Sequence, residues 1–388
     1  INIRMKRFLF ITHFFEPEIG AASSRITQLA RELSLEHKIT VLTAWPNFFQ
    51  KKSFKIFEKN ENITIIRLPI LKTLSKNIFL RLLSMINFSI YLIILSPLIF
   101  LKNFNYIYVQ GHPLISTLFG VLIGKITGKK IILNVSDIWP RTGLDLNVFK
   151  KGLLYSLLLK IEKFNYMNSH LIITQSNQTK KYIEDNFKIS SDIIVFYNVP
   201  KKVSNNFDVN KRFKYKILYA GLLGHAQGIY ELCQSIELNK NNYELHIYGN
   251  GAETSKIKNY ISGNSSIHLY DFINNDKLNS KMKDFDFGIV RLKNNIFGAL
   301  PSKIFYYSSN GLPIIYMGDG EAKTIIDKYK FGWTFESSNS KQLKEHLSDR
   351  KNNNENIKEF RKSLFENYKA NFSFNKQFNN FKRELFKS

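Results

Sequence analysis

Residues 7–43 read RFLFITHFFEPEIGAASSRITQLARELSLEHKITVLT. The stretch opens on an apolar run at 7–12 and closes on another at 38–43. Between them Ile26, Leu29, Ala30 and Leu33 fall at i, i+3, i+4 and i+7, which is one face of a helix. The flanking runs are apolar on successive residues instead of alternating, as in strands buried on both faces of a parallel sheet. Strand, glycine-containing turn, helix and strand form a βαβ unit, so the fold class is α/β.

The same alternation continues outward. Runs rich in Ile, Val, Phe and Tyr at 62–68, 105–109, 130–135, 170–174 and 192–196 read as further strands. At 199–213 the chain turns polar, carries Pro200 and loses periodicity, the composition of a linker. Strand-like runs then resume at 215–220, 243–248, 266–270, 285–290 and 313–317. The expected organisation is an N-terminal Rossmann-like domain over 1–198, a linker over 199–213, a second Rossmann-like domain over 214–365, and a helical tail over 366–388. Two such domains in series leave a central cleft, and open α/β sheets bind ligands beyond the carboxyl ends of their strands.

Composition narrows the classes. The 388 residues include a single cysteine, Cys233, which excludes an internal disulfide framework and a cysteine-based zinc site. The net charge of +25 is spread over both halves and attracts polyanions, either nucleic acid or an anionic membrane face; a Lys- and Asn-rich bias explains it equally. Helix-turn-helix, RNP and finger patterns do not accompany the charge, so no nucleic-acid partner is expected. The apolar run at 8–12 is too short for a signal-peptide core, and Met5 is a candidate start. Residues 82–101 are free of charge and long enough to span a bilayer. Strands on both sides of the segment argue instead for a buried or interfacial helix, and hence for a peripheral position on a membrane face.

The candidate site residues lie just past strand ends. Gly20, followed by Ala21 and Ala22, opens the first helix and lets a phosphate or sugar approach the backbone; a turn glycine with a helix cap is the plainer account. His112 follows the strand at 105–109 and is placed to donate to a developing charge or a sugar hydroxyl; taken alone, a structural histidine is the plainer reading. Asp137 follows the strand at 130–135, as an acceptor-orienting group or a helix cap. In the second half, Gly221, Gly224, His225 and Gln227 form a loop with room for a diphosphate, and Gly249 and Gly251 form another. Leu300, Pro301, Ser302 and Lys303 open a later helix. A lysine there opposes the helix dipole, a conflict that a bound diphosphate removes, although a solvated lysine costs little.

Together these fragments resemble the retaining GT-B glycosyltransferases of family four, and within them the bacterial O-antigen and capsule branch that includes N-acetyl-L-fucosamine transferases. Residues 14–25 look like that branch's Pro-Glu-x-Gly-Ala-Ala-x-x-Arg entry. Residues 37–43 with Trp45-Pro46-Asn47 look like its His-x-Val-Thr-Val-Leu-Thr and Pro-Asn stretch. Asp137-Ile138-Trp139-Pro140 looks like its Asp-Leu-Trp-Pro, residues 221–228 like its Gly-Asn-x-Gly-x-Ala-Gln-Gly, and residues 300–303 like its Pro-Ser-Lys. The likeness covers nearly the whole chain and keeps the family's order.

The resemblance implies an N-domain that holds the acceptor and a C-domain that holds a nucleotide sugar, with UDP as the expected nucleotide. It implies transfer to a lipid-linked saccharide at the cytoplasmic membrane face, with retention and without metal or other cofactor. By resemblance His112 sits beside the reacting sugar, Gly20 approaches the diphosphate and Lys303 neutralises it. Two family glutamates are replaced, by Gly298 and by Tyr306 at the ribose position; Leu222 and His225 stand for an Asn and a basic residue. A catalytically impaired GT-B subunit acting as a scaffold is therefore the alternative, and a GT-B epimerase a more distant one.

Overall fold

The computed structural model describes residues 5–18, 20–46, 55–70, 78–146, 148–203, 207, 214–236, 238, 242–293, 296–352 and 357–387. Ile19, Asn47 and most of the expected linker lie outside the described residues. So do the side chains of the first turns of the 82–101 helix. The chain divides into two compact units, one of residues 1–198 with 377–388 and one of residues 199–376.

The first unit runs β1 (Arg7–Thr12), α1 (Ala21–Leu33), β2 (Lys38–Ala44), β3 (Phe57–Lys59), β4 (Ile63–Leu68), α2 (Ile78–Leu101), β5 (Tyr106–Gln110), α3 (Leu114–Ile126), β6 (Lys130–Val135), α4 (Arg141–Asp145), α5 (Leu153–Met167), β7 (Leu171–Thr174), α6 (Asn177–Asn186) and β8 (Asp192–Val195). Its sheet has the order β3-β4-β2-β1-β5-β6-β7-β8. All pairs are parallel except β3 with β4. β1 and β5 are central and almost wholly buried, which is why they read as unbroken apolar runs. α1 buries the stripe Ile26, Leu29, Ala30 and Leu33 against this sheet, and it buries Arg25 on the same face. β3 escaped the sequence reading because it is a short, largely exposed edge strand with no apolar pattern.

The second unit runs β9 (Tyr215–Ala220), α7 (Ile229–Ser235), β10 (Tyr243–Tyr248), α8 (Thr254–Tyr260), β11 (Ile267–Tyr270), α9 (Asn275–Lys281), a 3-10 turn (Met282–Asp284), β12 (Phe287–Arg291), α10 (Lys303–Ser308), β13 (Ile314–Met317), α11 (Glu321–Tyr329), β14 (Gly332–Phe335), α12 (Ser340–Asn352) and α13 (Ile357–Phe372). Its sheet is parallel throughout, in the order β11-β10-β9-β12-β13-β14. β12 begins two residues later than the 285–290 run suggests, and the difference has a cause. Asp286 N–H still donates to Lys216 O at 2.8 Å, but its carboxylate takes the Lys216 N–H at 2.7 Å, so regular pairing with β9 starts only at Phe287. β14 was missed because Gly332-Trp333-Thr334-Phe335 is short and half-exposed.

The last helix, α14 (Phe374–Leu385), places Phe378, Phe381 and Leu385 on one buried stripe. Most of it belongs with the first unit: Phe381 packs on Phe196, Gln377 accepts the Tyr197 N–H at 2.6 Å, and Lys382 pairs with Glu36. The aromatic residues of the tail are thus core contacts.

No helix among the described residues is long and apolar enough to cross a membrane. α2 is instead two-faced. Phe88, Leu92 and Ile99 are buried, whereas Ile86, Ile90, Ile93, Ile94, Leu98 and Leu101 are exposed at helical spacing.

Candidate functional site

In the second unit the candidate residues gather at the carboxyl edge of the sheet. Tyr307 explains how α10 is seated. Its ring lies where a Cβ on Gly288 of β12 would stand, and its hydroxyl accepts the Ala220 N–H at 3.0 Å. Lys303, one turn earlier on the same helix face, is thereby carried to the end of β9. Its ammonium lies 4.9 Å from the centre of the Tyr219 ring. A Cβ on Gly221 would meet Lys303 Nζ at 2.8 Å and Cε at 2.6 Å, and Gly221 has φ +141°. That backbone favours glycine, and a side chain there would have to push the end of Lys303 aside.

Lys303 is half-buried, and among the described residues its ammonium has no hydrogen-bond or ion-pair partner. Burial pulls its pKa down to about 8. A freely solvated lysine is therefore not what the fold builds. α10 has only six residues and its dipole is a minor term; desolvation is the cost that an anion would relieve.

The loops after β9 and β10 press backbone on backbone. Gly221 N–H donates to Tyr248 O at 2.8 Å and Leu223 N–H to Asn250 O at 3.0 Å. A Cβ on Gly249 would fall 1.9 Å from Gly221 O, and one on Gly251 would fall 2.5 Å from Leu223 O. These two glycines are required by loop packing, which accounts for them without a ligand. Gly224 lies against Gln227 Oε1, a buried oxygen with no hydrogen-bond partner among the described residues. His225 is largely exposed, with Nδ1 3.6 Å from the buried Glu253 carboxylate. Leu300, Pro301 and Ser302 form the half-buried approach to α10. Tyr306 points to α9: its hydroxyl lies 2.6 Å from Asn279 Oδ1 and 3.0 Å from Asn275 O.

The first unit gathers a second set at the ends of β5 and β6. The His112 ring stacks on Trp139, with centroids 5.2 Å apart and planes at 23°. Its Nδ1 is buried without a hydrogen-bond partner among the described residues. Burial holds the imidazole below its ordinary pKa, against the opposing pull of the Asp137 carboxylate. The neighbouring His13 is pushed down to about 3, first by burial and then by the charge of His112. Both rings are neutral at neutral pH.

Asp137 is exposed and caps no helix, since the residue before α4 is Pro140. Gly20 precedes α1 and has open space where a side chain would be. Beneath Asp137 and Trp139 lies a cavity of about 10 Å³ that is also lined by Glu162, Asn165 and Tyr166. Burial raises the Glu162 carboxyl to about 8, although the Tyr166 hydroxyl donates to it at 2.8 Å.

Several residues that pack around the candidates carried no such signal in the sequence. Arg25 is buried and donates to Asn134 Oδ1 and to Ser136 Oγ, within the field of Asp137. The signal was an arginine on the apolar face of α1. Arg291 is buried at the end of β12 and holds the Gly228 and Ser337 carbonyls. Tyr219 and Tyr307 looked like ordinary aromatic core, and only their contacts show that they seat Lys303.

Residues 203–369 match the family described as glycosyl transferases group 1. A curated relative, the O-antigen biosynthesis glycosyltransferase WbnH of Escherichia coli, is 29% identical over 130 residues, 33% of this chain. The match spans 37% of that relative's length. Sucrose-phosphate synthase from Thermosynechococcus elongatus superposes with a TM-score of 0.74 at 13% identity, covering 98% of this chain and 99% of that one. Anabaena HepE in complex with UDP and glucose does so with a TM-score of 0.70 at 12% identity, with the same coverage. The chain thus has the two-Rossmann-domain GT-B fold.

Proposed function

We propose that this chain is a retaining glycosyltransferase. It moves a sugar from a nucleoside diphosphate, with UDP as the preferred nucleotide, to a lipid-linked saccharide during synthesis of a bacterial surface polysaccharide. The observation that carries the reading is the Lys303 ammonium, held over Tyr219 against Gly221 with no acidic partner among the described residues. A desolvated, unpaired cation is what a departing diphosphate needs, because charge that develops on the leaving oxygens is stabilised by a preorganised donor. The family match over 203–369 and the O-antigen relative support the same class. HepE, a neighbour in fold, is described with UDP and with UDP-glucose.

In this scheme the sugar–phosphate bond breaks with Lys303 balancing the diphosphate, and the acceptor hydroxyl adds on the face the diphosphate leaves while its proton passes to a departing phosphate oxygen. Neutral His112 donates to a hydroxyl of the donor sugar, and Asp137 orients the acceptor. Gly20 gives the backbone of the α1 entrance room beside the ligand. No metal takes part in the transfer. The test is turnover of UDP-sugars and other nucleotide sugars by the purified protein with lipid-linked acceptors, with product configuration read by NMR. Product formed from no donor in the panel overturns the reading.

Tyr306 favours a second reading. At the position of the family's ribose-binding glutamate stands a phenol already engaged with α9. A subunit with lost activity that scaffolds polysaccharide assembly is consistent with this. Tyr306→Glu separates the two: a large rise in nucleotide-sugar affinity marks a degraded site, whereas a fall marks a working pocket that uses Tyr306.

We also propose peripheral attachment to the cytoplasmic face of an anionic membrane. The exposed α2 stripe adjoins α3, which adjoins α5, where Leu153, Leu154 and Leu157 are exposed. Lys102, Lys125, Lys151 and Lys160 are exposed in the same helical layer. Apolar side chains among lysines suit the headgroup region.

A further inference from the structure

Away from the candidate residues, β10 and β11 carry an unexplained cluster. Along β10, Tyr243, Leu245 and Ile247 enter the apolar core. Alternation therefore sends Glu244, His246 and Tyr248 to the other face. β11, the edge strand, pairs in parallel register with His268 opposite His246 and Tyr270 opposite Tyr248. Two imidazoles are thus brought side by side, with centroids 4.7 Å apart and planes at 31°, and the Glu244 carboxylate stands two residues before His246 on β10.

We propose that Glu244, His246 and His268 bind one divalent first-row transition ion of the zinc type. One ligand atom from each lies within 4.8 Å of the others. Glu244 Oε2 and His246 Nε2 are 3.3 Å apart. For metal–ligand bonds of about 2.0–2.1 Å at a tetrahedral angle, ligand atoms stand about 3.3 Å from one another. One edge of the tetrahedron is therefore already set, and rotation of the half-exposed His268 side chain completes the face.

The outer contacts suit the same assignment. The second ring nitrogen of His246, Nδ1, is 3.2 Å from the Tyr270 hydroxyl, the arrangement that orients a metal-binding imidazole. The second oxygen of Glu244 faces Lys214 at 3.5 Å, which leaves Oε2 for the ion. His268 has ring contacts but no hydrogen-bond partner among the described residues. Two imidazoles and one carboxylate select zinc and its neighbours over magnesium or calcium, which take oxygen ligands. The fourth position is open to water. Because the ligands join an edge strand to its only neighbour, the ion staples β11 to β10. Glu244 stands four residues before the end of β10, upstream of Gly249, so the site is separate from the carboxyl-edge residues and the inference does not rest on the transferase reading.

The test is titration of the chelator-treated full chain with Co²⁺, read by its visible absorption, followed by displacement with Zn²⁺. The expected result is strong four-coordinate bands that saturate at one equivalent, and a thermal midpoint raised by Zn²⁺. The chain holds eight histidines, so variants assign the site. Glu244→Gln, and His246→Phe with His268→Phe, are expected to abolish both signals. Tyr270→Phe is expected to weaken binding by about 10–100-fold, the cost of losing a ligand's outer hydrogen bond. Glu244→Gln is conservative at a half-buried position and keeps the test valid if the double variant fails to fold. Absence of a saturable four-coordinate spectrum, or the same spectrum in folded Glu244→Gln, overturns the assignment.

Discussion

Lys303 Nζ sits 4.9 Å from the centre of the Tyr219 ring and packs against Gly221, where any side chain would displace it. A cation over an aromatic face gains about 0.5–2 kcal/mol, which only partly offsets its desolvation. The unliganded protein carries the difference as instability, and an anion removes it.

Lys303→Met is therefore expected to raise the thermal midpoint while lowering turnover. The sign follows from linkage. Burial sets the folded pKa near 8, below the ordinary lysine value of 10.5, so between these values the unfolded chain holds more protons and stability rises with pH. The variant should lose that slope. Nucleotide affinity of the parent should fall as pH rises through about 8, where the ammonium discharges, unless bound diphosphate holds the proton. Calorimetry and nucleotide titration at pH 7 and 9 check both statements, and equal turnover in parent and variant refutes the role of Lys303.

Gly221→Ala separates positioning from folding. The new methyl group displaces the flexible end of Lys303, so nucleotide affinity should drop by about tenfold or more with the fold retained. Gly249→Ala meets the Gly221 carbonyl at 1.9 Å, a backbone clash, and should destabilise the unit by several kcal/mol. Denaturation curves beside nucleotide titrations distinguish the two variants.

His112→Ala should lower kcat by about 100-fold, the cost of one preorganised donor. The imidazole is held below its ordinary value of 6.5. The parent should therefore stay active below pH 6.5 and lose activity only when the buried ring protonates. A pH–rate profile shows this acid limb, and its persistence in the variant would assign it to another group.

Glu162→Gln tests the buried carboxyl beneath Asp137. Its pKa rises from 4.5 to about 8 in the folded protein, so the native state holds the extra proton between these values and stability falls as pH rises across that window. The slope is at most about 1.4 kcal/mol per pH unit. The amide cannot ionise, so the variant should be the more stable protein at pH 9 and near parity at pH 5. Urea unfolding at the two pH values measures it.

Ile90→Glu with Ile94→Glu on α2 should abolish sedimentation with anionic vesicles and leave the thermal midpoint within about 2 °C, because both side chains are already exposed. Equal vesicle binding by parent and variant would remove α2 from the proposed membrane face.

The α/β class, the strands of both sheets except β3 and β14, and the helical stripe of α1 could all be read in the sequence. Strands buried on both faces and a helix buried on one leave periodic apolar marks that depend only on local geometry. The exposed edge strands left none. The candidate loops were legible as positions after strand ends, and Gly20, His112, Asp137 and Lys303 stand out as candidates on that ground.

Their physical state was not legible, because it depends on residues far apart in the chain. Lys303 reads as a solvated lysine until Tyr307, Tyr219 and Gly221 close around it. Gly249 and Gly251 read as ligand glycines until the neighbouring loop is seen to press on them. Arg25 and Arg291 became visible only once their carbonyl and amide partners were assembled. Glu244, His246 and His268 carry no motif at all: parallel register, not sequence spacing, sets His268 beside His246. The sequence alone determines the alternating βα plan and the chemical groups at its strand ends, since local periodicity encodes both. Tertiary structure alone decides which of those groups are desolvated and unpaired, because burial and partnering are properties of the packed chain.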